Sequence, residues 1–218
     1  MFSTASTPER VFFRDNTLLK TLAALYALVW AAAALRPVYP TDWVMENLLV
    51  AAAVPALVLT HRRFPLSDLS YILITLFLML HAVGAHYTYA EVPLGFWLKD
   101  AFGLARNHFD RIVHASFGLL IAYPVREMFL RLVSARGFWA YYFPLDVTLA
   151  FSGLYEILEM IVARTVSPDA GDAYLGTQGD PFDAVMDMTC AFLGAVVCML
   201  VTMILKRILR PAQGAAAS

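Results

Sequence analysis

Six apolar stretches run along the chain, at roughly residues 17–35, 44–60, 69–87, 112–132, 139–162 and 182–204. Each has about the 17–25 residues that a helix needs to cross a hydrocarbon core of ~30 Å. In lipid only helices and closed barrels satisfy their own backbone, and these runs lack the period-two alternation of a barrel strand. The expected fold is therefore all-α, a polytopic membrane protein with about six transmembrane helices. Of its 218 residues 60% are hydrophobic and 15% charged, which leaves no room for a separate soluble domain. The expected organisation is a cytoplasmic N-terminal segment over 1–16, a transmembrane domain over 17–206 and a flexible cytoplasmic tail over 207–218.

The basic residues set the orientation. With the N-terminus in the cytoplasm, the inner side receives Arg10, Arg14, Lys20, Arg62, Arg63, Arg126, Arg131, Arg136, Lys206, Arg207 and Arg210. The outer side receives Arg36, Lys99, Arg106, Arg111 and Arg164. Lys and Arg are retained inside, so both termini are expected in the cytoplasm of a bacterial inner membrane. A rival reading makes the first stretch a cleaved secretory signal, with 32–34 as its small residues; the run is long for a signal. A net charge of −1 with no basic cluster gives nucleic acid no surface to bind. The bilayer is the evident partner, and the oligomeric state is left open. Cys190 and Cys198 lie about 12 Å apart on one helix, too far for a disulfide between them, and read as small packing residues.

Ionisable groups inside a membrane are costly, so their positions carry information. They gather near the outer side. Asp110 and His114 are four apart at the start of the fourth stretch and share a helix face. Glu156 and Glu159 share a face of the fifth. Asp180, Asp183 and Asp187 are spaced three and four around the start of the sixth. Counted from the helix ends, the groups inside the helices lie at similar depths of about 3–13 Å. Capping accounts for Asp180 and Asp110 equally well, but not for His114, Glu156, Glu159 or Asp187. His81 and His86 are five apart, on different faces, and are weaker members of the set. His108 and Gln178 flank it. The Gly- and Asp-rich segment 167–180 reads as a lid or as a solvated loop. In the inner half Asp146 is the one such group expected, held by a buried hydrogen bond with a neighbour.

Several chemistries suit such a set. Imidazole with carboxylates suits a divalent ion, Zn, Mn or Fe, with His114, Glu156, Glu159, Asp183 and Asp187 as ligands. Asp110, His114, Glu156, Glu159 and Asp187 also suit general acid–base catalysis. A proton or cation path is a third use, and a structural network around Arg111 or Arg164 a fourth. The leading expectation is an outward-facing site acting on an envelope lipid or lipid-linked substrate. The alternatives are a small proton- or cation-coupled transporter and a non-catalytic membrane partner.

Residues 106–111 (Arg-Asn-His-Phe-Asp-Arg) with His114, Tyr155-Glu156 with Glu159, and Leu175-Gly176-Thr177-Gln178-Gly179-Asp180 with Asp183, Asp187 and Met188 resemble the YjdF family of bacterial inner-membrane proteins. A more distant resemblance is to VanZ-like membrane proteins, through Asp110 with His114, Glu156, Asp183 or Asp187, and Gly194-Ala195. The Thr-Gln-Gly-Asp loop departs from the VanZ-like pattern. These resemblances imply a membrane class and a compartment, and no reaction.

Overall fold

A computed structural model describes residues 13–166, 171 and 174–215. All regular structure among the described residues is helical. Five helices follow the expected stretches closely: α1 (Thr17–Ala34), α2 (Pro40–His61), α3 (Asp68–Tyr87), α5 (Phe109–Leu132) and α6 (Trp139–Thr165). The last, α7 (Asp183–Ala215), runs well into the segment expected to form a tail. α1, α2, α3 and the Asp183–Leu209 part of α7 are long and apolar enough to cross a membrane. α5 and α6 have the length, 24 and 27 residues, but carry the ionisable groups.

A short helix lies outside the expectation. α4 (Pro93–Phe102) has ten residues, too few to span a bilayer, so a search for long apolar runs passes over it. Pro93 starts it and Gly103, at φ 62°, ends it. Its exposed Leu94, Phe96, Trp97 and Phe102 suit the headgroup level.

α5 is the central helix, packed on α3, α6 and α7. Its contact with α7 is built on small residues. A Cβ on Gly118 would strike the carbonyl oxygen of Ala191, and a Cβ on Gly194 would strike that of Ala115. Between apolar helices in lipid, such close backbone approach replaces the hydrophobic effect as the source of packing. Cys198 is buried here against Ala122, Ala195 and Met199, as a packing residue would be. α1 leans on α2 and α3. Trp30 donates to Asn47 Oδ1 at 2.6 Å, and Asn47 in turn donates to the Trp43 carbonyl at 2.7 Å.

At the end of the bundle opposite the acid cluster, Glu127 of α5 caps α3. Its carboxylate accepts from Ser67 N at 2.9 Å, Ser67 Oγ at 2.7 Å and Ser70 Oγ at 2.6 Å, and from Arg131 at 2.7 Å. Arg126 is buried nearby, its guanidinium 4.6 Å from the centre of the Tyr141 ring. This corrects the expectation that Asp146 stands alone in the inner half. Asp146 itself is exposed rather than buried, and accepts from Tyr142 one turn before it. The helical period puts residue 146 on an outward face, which a one-residue reading does not reveal.

Candidate functional site

The small-residue contact between α5 and α7 also positions the acids. His114 lies one turn before Gly118, and Asp187 one turn before Ala191. Bringing Gly118 onto Ala191 therefore brings His114 and Asp187 together at one end of the bundle. Ligand atoms of Asp110, His114 and Asp187 all lie within 4.8 Å of one another. α6 completes the group: His114 Nε2 is 3.4 Å from Glu156 Oε1 and 3.6 Å from Asp110 Oδ1. The other ring nitrogen, Nδ1, shares a hydrogen bond of 3.3 Å with the buried Ser152 hydroxyl. When Nδ1 carries the proton and donates to Ser152, the Nε2 lone pair is presented to the acids, the orientation a metal-binding histidine needs.

Among the described residues, Asp187 Oδ1 and Glu156 Oε1 are buried without a hydrogen-bond partner. Asp187 is only 2% exposed. Buried carboxylates close to one another cannot stay ionised together unless a proton or a cation neutralises them.

The arginines belong to a separate set beside it. Arg106 is buried, donates to the Thr177 carbonyl at 2.8 Å and pairs closely with Asp183. Arg111 pairs closely with Asp180, and cross-contacts of 3.6 and 3.7 Å make the four groups one network. Asp183, expected among metal ligands, thus faces guanidinium groups. The structural network expected around Arg111 or Arg164 includes Arg111, and its second cation is Arg106.

The same network anchors the described end of the 167–180 segment. Residues 167–170, 172 and 173 lie outside the described part, while 176–180 are docked on the start of α5. Gln178 Oε1 accepts from Asn107 N at 3.0 Å, and Gln178 Nε2 donates to the Asn107 carbonyl at 2.9 Å. Gly176 and Gly179, at φ 59° and 84°, let the chain turn back between these anchors. Asn107 is fully buried, donates to the Val92 carbonyl and accepts from Phe109 N, both at 3.0 Å. The Phe182 backbone N–H and the Arg111 guanidinium hold the Asp180 carboxyl below the usual carboxylate range. Partial burial, with Arg111 and Arg106 near, holds His108 below the usual imidazole range.

The remaining expected residues separate. Glu159, half-buried, adjoins Tyr155 and Glu156 but is not among the three converging groups. His81 is buried and shares a 2.5 Å hydrogen bond with the Tyr89 hydroxyl. His86 bonds the Ala33 carbonyl at 2.8 Å and serves the packing of α1 on α3. Two buried acids of α2 went unread in the sequence, Asp42 and Glu46; Glu46 accepts from the Tyr155 hydroxyl at 2.6 Å. Its signal was a lone acid inside an otherwise apolar run, two residues into the second stretch.

The profile of a family described as "Predicted membrane protein (DUF2238)" matches residues 18–207, nearly all of the helical part. The chain belongs to this family. It is 41% identical over 159 residues to the inner membrane protein YjdF of Escherichia coli (strain K12), a stretch covering 72% of this chain and 76% of that protein. This family member is an integral membrane protein, and its relative places it in the inner membrane of bacteria. No solved structure matches the chain.

Proposed function

We propose that the protein is a metal-assisted enzyme whose outward-facing site acts on an envelope lipid or lipid-linked substrate. The observation that carries this reading is the convergence of Asp110, His114 and Asp187 beside Glu156, with Asp187 Oδ1 buried and unpartnered among the described residues. One imidazole with carboxylate oxygens suits Zn, Mn or Fe, and a divalent ion there supplies the charge the buried acids need. When bound, such an ion polarises a carbonyl or phosphoryl oxygen or lowers the pKa of a water. Glu156, beside the ring of His114, is placed to move the proton in that step. Tyr155 links α6 to Glu46, and with Glu159 extends the polar chain away from the ligand atoms. Ser152 fixes the His114 ring.

The test is turnover. The purified protein, loaded separately with Zn, Mn and Fe, is incubated with lipids extracted from a bacterial envelope, and products are followed by mass spectrometry. At least one lipid class is converted by wild type, and Glu156→Gln slows the conversion by about 10²–10⁴-fold while keeping its metal. Undiminished turnover by Glu156→Gln, or an unchanged lipid profile with every metal, overturns the reading.

A further inference from the structure

A second feature adjoins the acid cluster. A cavity of about 430 Å³ opens among α2, α3, α5 and α6. Its wall is made by Ala52, Ala53 and Ala56 of α2, with Phe77, Phe117 and Phe151 from the three facing helices. The alanines explain the space: α2 presents methyl groups where the neighbouring helices present rings. Three of the polar residues in its wall, His114, Ser152 and Tyr155, also belong to the acid site or bond to it. The others are the buried His81 and Tyr89, whose hydroxyl bonds the Nδ1 of that ring. The cavity thus combines apolar walls with the His114–Ser152 pair, through which it adjoins the acids.

We propose that this cavity holds one acyl chain of a phospholipid substrate, with its head group toward the acid site. The inference rests on the function proposed above and names the substrate class that the site takes. Depth selects the occupant. α2 and α3 are both long and apolar enough to cross the bilayer, so a cavity between them lies at the level of acyl chains. Its size falls in the ~300–1,000 Å³ range of small-molecule sites, enough for one chain and too little for a long polyprenyl tail. A chain between the phenylalanines directs the polar part of the lipid toward His114, which lines the same cavity.

The experiment uses the whole protein in vesicles of phosphatidylethanolamine and phosphatidylglycerol containing a phosphatidylglycerol with a mid-chain diazirine. After photolysis, adducts are mapped by mass spectrometry. Wild type carries them in excess at Phe77, Phe117 and Phe151 over the outward-facing Leu28, Leu59 and Leu193. Ala53→Phe, which fills the cavity, lowers the cavity adducts by about tenfold with metal content unchanged. Cavity adducts no more frequent than those at the outward leucines overturn the proposal, and wild type alone decides this if the variant fails to fold. Metal content separates the two ideas. Metal without cavity labelling removes the acyl-chain site and leaves the metal-assisted reading standing. Cavity labelling in a protein that takes up no metal upholds the lipid site and removes the metal-assisted reading.

Discussion

Asp183 and Asp187 stand one turn apart on α7 and meet opposite surroundings. Asp183 is closed by Arg106 and Arg111, whereas Asp187 faces other acids and His114. Removing Asp183 strands a buried guanidinium, so Asp183→Ala is expected to cost about 3–5 kcal/mol in thermal unfolding in detergent. Asp187→Asn removes an uncompensated acid, so the metal-free variant is expected to match or exceed wild type in the same assay. Asp180 gives the pH dependence. Its folded-state pKa is held down by Phe182 N–H and Arg111, so its contribution is present above the unfolded carboxylate value. That contribution is lost as pH falls through the lowered folded value. An acid titration of melting temperature is expected to fall more steeply for wild type than for Asp180→Asn. At this scale the sequence showed the right acids but not their partners. Asp183 and Asp187 share a face at helical spacing, and only the arginines brought in from the start of α5 distinguish them.

The α5–α7 contact is the element on which the site depends. A methyl at Gly118 meets a backbone carbonyl, which cannot rotate away as a side chain could. Gly118→Ala is expected to destabilise by about 1–3 kcal/mol in thermal unfolding and to lower metal uptake, because His114 lies one turn away. Gly103→Ala, where a Cβ meets open space, strains only the α4 cap and is expected to leave metal uptake intact. The long helices were legible because apolar length is a one-dimensional signal. α4 was not, since a short helix at the headgroup level lacks that length. Glu46 was missed for a related reason: within an apolar run one acid hardly alters the average, and what singles it out is Tyr155, 109 residues away in sequence.

Across the whole molecule, the turns between α2 and α3 (Arg62, Arg63) and between α5 and α6 (Arg136) lie at one end and the acid site at the other. Six spans with both termini inside place the acid site on the outer face, and this orientation is a proposal that labelling tests. A cysteine at Gly179, beside the site, is expected to react with a membrane-impermeant maleimide on whole spheroplasts, and one at Ser134 only after lysis. The reverse pattern would place the site in the cytoplasm. The membrane class and the family were readable from the chain alone, through apolar runs and the Gly-Thr-Gln-Gly-Asp segment. Convergence of the helix faces was not, because it depends on Gly118 and Gly194 setting how closely α5 and α7 approach. The central claim is that Asp110, His114 and Asp187 hold a divalent ion. Elemental analysis of detergent-purified protein, after exposure to Zn, Mn or Fe and removal of excess, tests it most directly. We expect a near-stoichiometric metal in wild type that is lost in Asp187→Ala. No metal in wild type under any of the three loadings, or equal metal in both proteins, would contradict it.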